Sequence, residues 1–210
     1  MTVAAPAPTG ALVARGRALA WVTIGWNSAE GILGIAAGVV AGSIALVGFG
    51  VDSYVEVLAG ATILWRLSKE RHGAEVSQAA EQRAVRIIAV TFLILAVGVG
   101  VESVRKLLTA QQADDSIVGI VLAVVSLVVM PLLAKAKRRV GKRMGSRALQ
   151  ADAAETTLCV WLSAILLAGL SLNALLGWWW ADPVAGLGIV YVAGREGLGH
   201  WRAEALDDCC

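Results

Sequence analysis

Six long apolar runs dominate the sequence, and each is close to the ~20 residues that one helix needs to cross a lipid bilayer. The runs cover residues 18–40, 44–67, 84–108, 116–134, 148–172 and 183–198. Hydrophobic residues make up 58% of the 210 positions and charged residues only 16%, which is outside the usual range of soluble proteins. The sequence therefore predicts an all-α integral membrane protein, a bundle of six transmembrane helices.

The basic residues between the fourth and fifth runs predict the orientation of the bundle. Seven occur there with no acidic residue among them: Lys135, Lys137, Arg138, Arg139, Lys142, Arg143 and Arg147. Short loops rich in Lys and Arg stay in the cytoplasm, so both termini are predicted to be cytoplasmic. Such a loop contacts anionic lipid far more often than nucleic acid, and we expect no nucleic-acid partner.

The same pattern divides the chain into three parts. Residues 1–16, rich in Ala, Pro, Thr and Gly, are predicted to be a disordered cytoplasmic tail. Residues 17–199 form the six-span transmembrane domain, and residues 200–210 form a short cytoplasmic tail.

Smaller features predict contacts within the bundle. Gly34, Gly38 and Gly42 repeat at intervals of four, a spacing that lets membrane helices approach closely, and we favour packing over a dimer face. Glu102 lies near the end of the third run and is predicted to pair with Lys106, at i+4. Pro131 marks a kink or the end of the fourth helix.

The second run contains two carboxylates, Asp52 and Glu56, in a region where a charged side chain is costly. Their spacing puts both side chains on one face of a helix, with Cβ atoms about 5–6 Å apart, close enough to hold one cation. Because ionisable residues inside a membrane usually serve a function, this pair is the first candidate site.

The fifth run carries a second pair at the same spacing, Glu155 and Cys159. Counted from the ends of the runs, Asp52 and Glu56 lie roughly 12 and 18 Å below the outer surface of a core about 30 Å thick. Glu155 and Cys159 lie roughly 10 and 16 Å above the inner surface, so the two pairs match in depth. We predict a four-ligand metal site between the second and fifth helices, near the midplane where transporters bind substrate.

The charge of this site limits what it can hold. Three ionised carboxylates leave about one excess negative charge beside a divalent cation, and burying that excess is costly. We expect one ligand to keep its proton when metal is bound, or Cys159 to be a neutral neighbour. Without metal, the carboxylates cannot all stay ionised in a low dielectric, so metal binding displaces protons. This exchange is the physical basis of metal/proton antiport.

Two alternatives stay open for the predicted ligands. The three carboxylates could be buried structural groups that are hydrogen-bonded to nearby polar side chains, which are Asn27, Ser53, Tyr54, Thr156 and Thr157. Cys159 could be a small hydrophobic residue of the core, which is the commoner role of a lone buried cysteine.

Further residues are candidates for supporting roles. Asn27 and Glu30 of the first run could lie at the entrance to the site or hydrogen-bond its ligands. Asp152, one turn before Glu155, could be a ligand at the entrance or the cap of the fifth helix. Cys209 and Cys210 could capture a soft metal or simply end a disordered tail.

These motifs resemble the cation diffusion facilitator, or cation efflux, family, and the likeness covers all six runs. It is carried by Asn27, by Ala41 to Leu46 leading to Asp52-x-x-x-Glu56, by Asp152 with Glu155-x-x-x-Cys159, and by Trp180 to Pro183 with Arg195-Glu196-Gly197. The sequence looks most like short bacterial members that lack the cytoplasmic metal-sensing domain, which implies the plasma membrane of a bacterium.

In that family the matching positions of the second and fifth helices bind one divalent metal, so the resemblance implies Asp52, Glu56 and Glu155 as ligands, with Cys159 in the fourth place. Zinc is the first expectation, with cobalt, iron, manganese or cadmium as alternatives, because this site has no His and is rich in oxygen. A homodimer is also implied.

The sequence thus predicts a divalent transition-metal efflux transporter that exchanges metal for protons by alternating access. The first rival is a membrane protein that binds metal, or regulates, without transport. An enzyme is not expected, because the loops offer no Ser/His or His-x-x-His constellation. A proton channel would keep the carboxylates and show no saturable dependence on metal.

Overall fold

The computed structural model describes the backbone of residues 10–70 and 78–207, and the side chains in these ranges except at 69–70, 78–89, 91–92, 147–148, 151, 196 and 200–207. The described residues form six helices and no strand, which confirms the all-α prediction. The helices are α1 (Gly10–Ala41), α2 (Ile44–Glu70), α3 (Gln78–Thr109), α4 (Ile117–Met144), α5 (Arg147–Leu176) and α6 (Ala181–Asp207).

The connections α1–α2, α3–α4 and α5–α6 meet at one end of the bundle, called here the turn end. There the Asp114 N–H donates to the carbonyl of Ala41 at 2.8 Å, and the Asn173 side chain donates to the carbonyl of Ala113 at 2.9 Å. The opposite end, called the basic end, carries the α4–α5 connection and five exposed basic side chains, Lys135, Arg138, Arg139, Lys142 and Arg143. The charge rule predicts that the basic end faces the cytoplasm.

Four of the described helices, α1, α2, α4 and α5, are long and apolar enough to cross a membrane. The other two, α3 and α6, have 32 and 27 residues, which is ample length for a span at 1.5 Å per residue. These two helices pack against each other, and both also contact α2. The six-span prediction therefore rests on hydropathy for four helices and on length and packing for α3 and α6.

The helices extend further at the basic end than the sequence predicted. Residues 10–16 belong to α1 instead of a disordered tail, because Leu12 and Val13 pack against an apolar cluster that includes Leu67 and Leu149. Helix α6 likewise continues to Asp207, through most of the predicted tail. Residues 1–9, 71–77 and 208–210 lie outside the described residues, and Cys209 and Cys210 are among them.

The basic segment is helical where the sequence predicted a loop from residue 135. Helix α4 runs through Pro131, which therefore does not end it, and stops at Met144. Gly145 adopts the left-handed conformation (φ 65°), which closes the helix, and the Ser146 hydroxyl accepts from the Leu149 N–H to begin α5. Only these two residues separate α4 from α5, so the side chains of 135–144 have helical periodicity.

Close contact between α1 and α2 explains the glycine repeat of α1. A Cβ added at Gly34 would lie 3.1 Å from the Cα of Gly50, and one at Gly38 would lie 2.7 Å from the backbone nitrogen of Val47. Gly42 instead ends α1 with a positive φ of 61°. The glycines of α1 thus serve packing within the chain, as predicted.

The predicted contact between Glu102 and Lys106 is not formed. Glu102 accepts hydrogen bonds from the guanidinium of Arg105, with an Nε–Oε2 distance of 2.8 Å. Lys106 is buried and donates to the carbonyl of Gly42. The last carbonyls of α1 have no partner within their own helix, and they attract this ammonium group more than an exposed carboxylate does.

Asp182 fastens the first turn of α6 to the first turn of α2. Its carboxylate accepts from the Ser43 hydroxyl and, at 3.0 Å, from the Ile44 N–H. The Ser43 oxygen also accepts from the Leu46 N–H at 3.1 Å, as an N-cap does. Asp182 is fully buried, so it satisfies backbone donors that would otherwise be unpaired.

Candidate metal site

Asp52 and Glu56 lie on the buried face of α2, where they are 3% and 5% exposed. The helical repeat puts them on the same side as Phe49, Val55 and Ala59, whereas Tyr54 and Leu58 face outward. The spacing of four residues is therefore used as the sequence predicts, with both carboxylates inside the bundle.

A cavity joins these two carboxylates to Glu155 of α5. The cavity volume, counted as the space open to the centre of a water molecule, is about 10 Å³. This volume is about what one water molecule needs. Apolar side chains from α2, α5 and α6 complete its wall: Val55, Leu158, Leu162, Val192 and Ala193. The three carboxylates that the depth argument paired thus line one cavity, and α6 forms part of its wall, which was not predicted from the sequence.

The three carboxylates line the cavity without forming a coordination sphere. Nowhere in the part of the chain that the structure describes do three Asp, Glu, His or Cys side chains lie close enough together to hold one metal ion. The four-ligand set of Asp52, Glu56, Glu155 and Cys159 therefore stays a prediction. A metal bound here requires a shift of side chains or helices that draws the carboxylate oxygens inward.

Cys159 lies outside the lining of the cavity. Its side chain is buried at 1% exposure and belongs to the apolar cluster that includes Phe49, Leu162 and Ile189. The Ser163 hydroxyl donates to the backbone carbonyl of Cys159 at 2.7 Å. Its surroundings are those of a core residue, which is one of the two roles that the sequence left open.

Asn27 and Glu30 of α1 face the carboxylate helix α2. The Asn27 amide donates to Glu56 Oε2 at 2.8 Å and to the carbonyl of Thr23 at 3.0 Å. The Ser53 hydroxyl donates to Glu30 Oε2 at 3.1 Å. Asn27 is thus a hydrogen-bond partner of a predicted ligand, and Glu30 is a fourth carboxylate close to the cavity.

Buried oxygens near the cavity lack a hydrogen-bond partner. Among the described residues, no hydrogen-bond donor reaches Glu56 Oε1 or Asn27 Oδ1. Buried polar atoms in native proteins nearly always have a partner, and an ion or a water commonly supplies it. These atoms therefore have lone pairs free to accept a cation or a proton.

Asp152 forms an ion pair with Lys137 that was not predicted from the sequence. Its Oδ1 accepts from Lys137 Nζ at 3.0 Å and its Oδ2 lies 2.9 Å from the same nitrogen, while the ammonium also donates to Thr156 Oγ1 at 2.9 Å. The N-cap of α5 is Ser146, so Asp152 does not cap this helix. Lys137 is fully buried, although it was predicted to belong to a basic loop.

Helical periodicity could have found Lys137. The buried face of α4 repeats at Met130, Leu133, Ala134, Lys137, Gly141 and Met144. This spacing of three and four residues continues unbroken through the basic segment, so a helix there turns Lys137 inward and the other basic residues outward. Because these residues were predicted to form a loop, helical periodicity was not expected there and Lys137 was not assigned to the core.

Comparison with known proteins identifies the family. A model of the cation efflux transmembrane domain matches residues 20–205, which is nearly the whole chain. The chain belongs to the cation efflux family. Its members are transporters, and the chain is a multi-pass membrane protein.

One curated relative of this cation efflux chain is an uncharacterized transporter of the bacterium Synechocystis sp.. The two are 28% identical over 178 residues, which cover 82% of this chain and 57% of that protein. The chain thus spans a little over half the length of the relative.

Proposed function

We propose that the protein exports a divalent transition-metal cation in exchange for protons, through the cavity between α2, α5 and α6. The observation that carries this proposal is the meeting of three carboxylates from two helices in one cavity. Carboxylates inside a membrane protein are costly, and they mark ion and proton pathways when they face a cavity in the bundle.

The composition of the cavity supports a cation as cargo. Asp52, Glu56 and Glu155 offer carboxylate oxygens, and the remaining lining residues are apolar. Oxygen donors suit manganese and iron(II), and zinc also accepts carboxylates in its coordination sphere. Zinc is therefore the first substrate to test, with manganese, iron, cobalt and cadmium as competitors.

The same cluster supports exchange with protons. Three carboxylates in one low-dielectric cavity repel each other, so protons neutralise some of them when no metal is bound. A metal ion must displace these protons, and alternating access of the cavity to the two sides then couples the two flows.

Flux measurements test the proposal directly. The purified protein, in liposomes that contain a pH-sensitive dye, is given each of the five metals in turn. We expect saturable metal uptake with proton movement in the opposite direction. Asp52→Asn and Glu155→Gln are each expected to lower the uptake by about tenfold or more, since changes around a metal usually cost that much. Glu102→Gln is the matched control, because Glu102 pairs with Arg105 at the surface of α3.

A protein that binds metal without moving it is the rival proposal. Metal binding to the purified protein without flux of any metal would favour the rival and overturn transport. Proton flux that does not depend on metal would point to a proton channel instead. Assembly as a homodimer, which the resemblance implies, stays a prediction that the mass of the purified protein can test.

A further inference from the structure

Lys137 is the one fully buried Lys or Arg among the described side chains. An ammonium group is very costly to bury unless charged or polar groups surround it, and here Asp152 and Thr156 supply three contacts within 3.0 Å. Its neighbours Lys135, Arg138 and Arg139 are exposed on the other faces of α4. The exposed neighbours are enough to keep this end of the bundle in the cytoplasm, so the charge rule does not explain why Lys137 is buried.

The direction of the side chain brings this charge toward the cavity. Helix α4 begins at the turn end, and side chains on a helix tilt toward its N-terminus, so Lys137 reaches from the basic end back into the bundle. Its partners Asp152 and Thr156 stand on α5, the second of them next to Glu155. The ammonium also donates to Thr156, which lies one turn further from the basic end than Asp152, so the positive charge extends further toward the cavity than its partner carboxylate.

We propose that Lys137 sets the affinity of the site: it is a fixed positive charge, paired with Asp152 one helical turn to the basic side of Glu155, that weakens the hold on the cation. The inference rests on the proposed function and deepens it. Asp152 balances most of the charge of Lys137, and the ammonium, which also contacts Thr156 one turn nearer the midplane, leaves a net positive influence on the cavity side of the pair.

The role follows from the charge of the cavity. Asp52, Glu56 and Glu155 can hold a divalent cation too tightly for release, because charges attract strongly where water is scarce. A transporter needs a site that is attractive enough to fill and weak enough to empty. Lys137 reduces the attraction without occupying the cavity, and its pairing with Asp152 fixes it there.

A structural ion pair is the competing explanation. Buried ion pairs can often be replaced by uncharged side chains of similar volume without loss of stability, whereas removing one partner alone leaves an uncompensated charge. The informative variant is therefore Lys137→Met combined with Asp152→Asn, which removes both charges and keeps the volume. Lys137→Arg keeps the charge, and Glu102→Gln with Arg105→Met removes an exposed pair of α3 as the matched control.

Two measurements are made on each protein: binding of zinc and manganese to the purified protein, and the metal dependence of flux in liposomes. For the double variant we expect a half-saturating concentration about fivefold lower than that of the wild type. We also expect a lower maximal rate, because an ion held more tightly leaves more slowly. Lys137→Arg and the control pair are expected to match the wild type.

The outcomes separate this inference from the proposed function. A double variant that folds and has the binding constant and half-saturating concentration of the wild type overturns the role of Lys137, and transport by the wild type is untouched. A wild type that binds metal without flux overturns transport, and the binding constants still decide the role of Lys137. A wild type that neither binds nor moves metal overturns both.

Discussion

Two buried aspartates at opposite ends of the bundle are used in different ways. Asp182, at the turn end, accepts from the Ser43 hydroxyl and from the backbone of Ile44. Asp152, toward the basic end, contacts the ammonium of Lys137 with both of its oxygens. The first joins two helix termini through neutral donors, and the second forms a charge pair one helical turn from Glu155.

The difference shows how one residue type meets two different demands in the same bundle. A carboxylate that satisfies the N-terminus of a helix holds the backbone in place, and its partners cannot exchange without unwinding a turn. A buried side-chain ion pair instead holds a charge at a fixed place beside other side chains, where that charge acts on a nearby cation. We therefore expect the contact at the turn end to matter for stability alone, and the Lys137–Asp152 pair to matter for stability and for the hold on the cation.

The largest effect is expected from breaking the charge pair on one side only. Lys137→Met leaves Asp152 buried without a counter-ion, and such a change typically lowers the free energy of unfolding by about 3–5 kcal/mol. Thermal unfolding of the purified protein in detergent measures the loss. Adding Asp152→Asn to the same protein is expected to restore most of the stability. A single variant as stable as the double variant would contradict the pairing.

A smaller loss is expected at the turn end, and it sharpens the comparison. Asp182→Asn keeps the volume and one acceptor oxygen, but it removes the other acceptor and the charge, so the free energy of unfolding should fall by about 1–3 kcal/mol. The half-saturating metal concentration should not change, because this contact is distant from the cavity. A change in metal dependence without a loss of stability would remove the distinction between the two ends.

The contact between α1 and α2 supports Glu56 and Asn27, and a packing variant tests it. In Gly50→Ala the new methyl group would lie 2.7 Å from the backbone nitrogen of Ile35, which cannot move freely. The expected loss is about 1–3 kcal/mol in the free energy of unfolding. Gly98→Ala is the control, since no atom lies within 4 Å of its added carbon, and alanine favours a helix. Equal stability of the two variants would contradict the close approach.

The smallest effect is expected for the exposed pair of α3. Glu102→Gln removes the partner of Arg105 near the turn end of α3, where water and lipid headgroups screen the interaction, so neither thermal unfolding nor flux should change measurably. This variant sets the baseline for the other three. An effect as large as that of Asp182→Asn would mean that α3 contributes to the site in a way that its exposed position does not suggest.

The helical bundle and the group of three carboxylates could both be predicted from the order of the residues. Apolar runs of sufficient length have few structures open to them in a membrane, and the spacing of Asp52 and Glu56 fixes their common face on any helix. Counting residues from the ends of the runs was enough to match their depth with that of Glu155, because the rise of a helix is constant.

Which groups face one another around that site depends on the packing of the helices and could not be predicted from the sequence. Local spacing does not fix how far each helix turns about its axis or which neighbour it meets, and these are set by packing of the whole bundle. The packing of the helices places Cys159 in the apolar core and Asn27 within hydrogen-bonding distance of Glu56. It also joined Lys137 to Asp152 in a charge pair, since a buried ammonium is stable only where another helix supplies its partners.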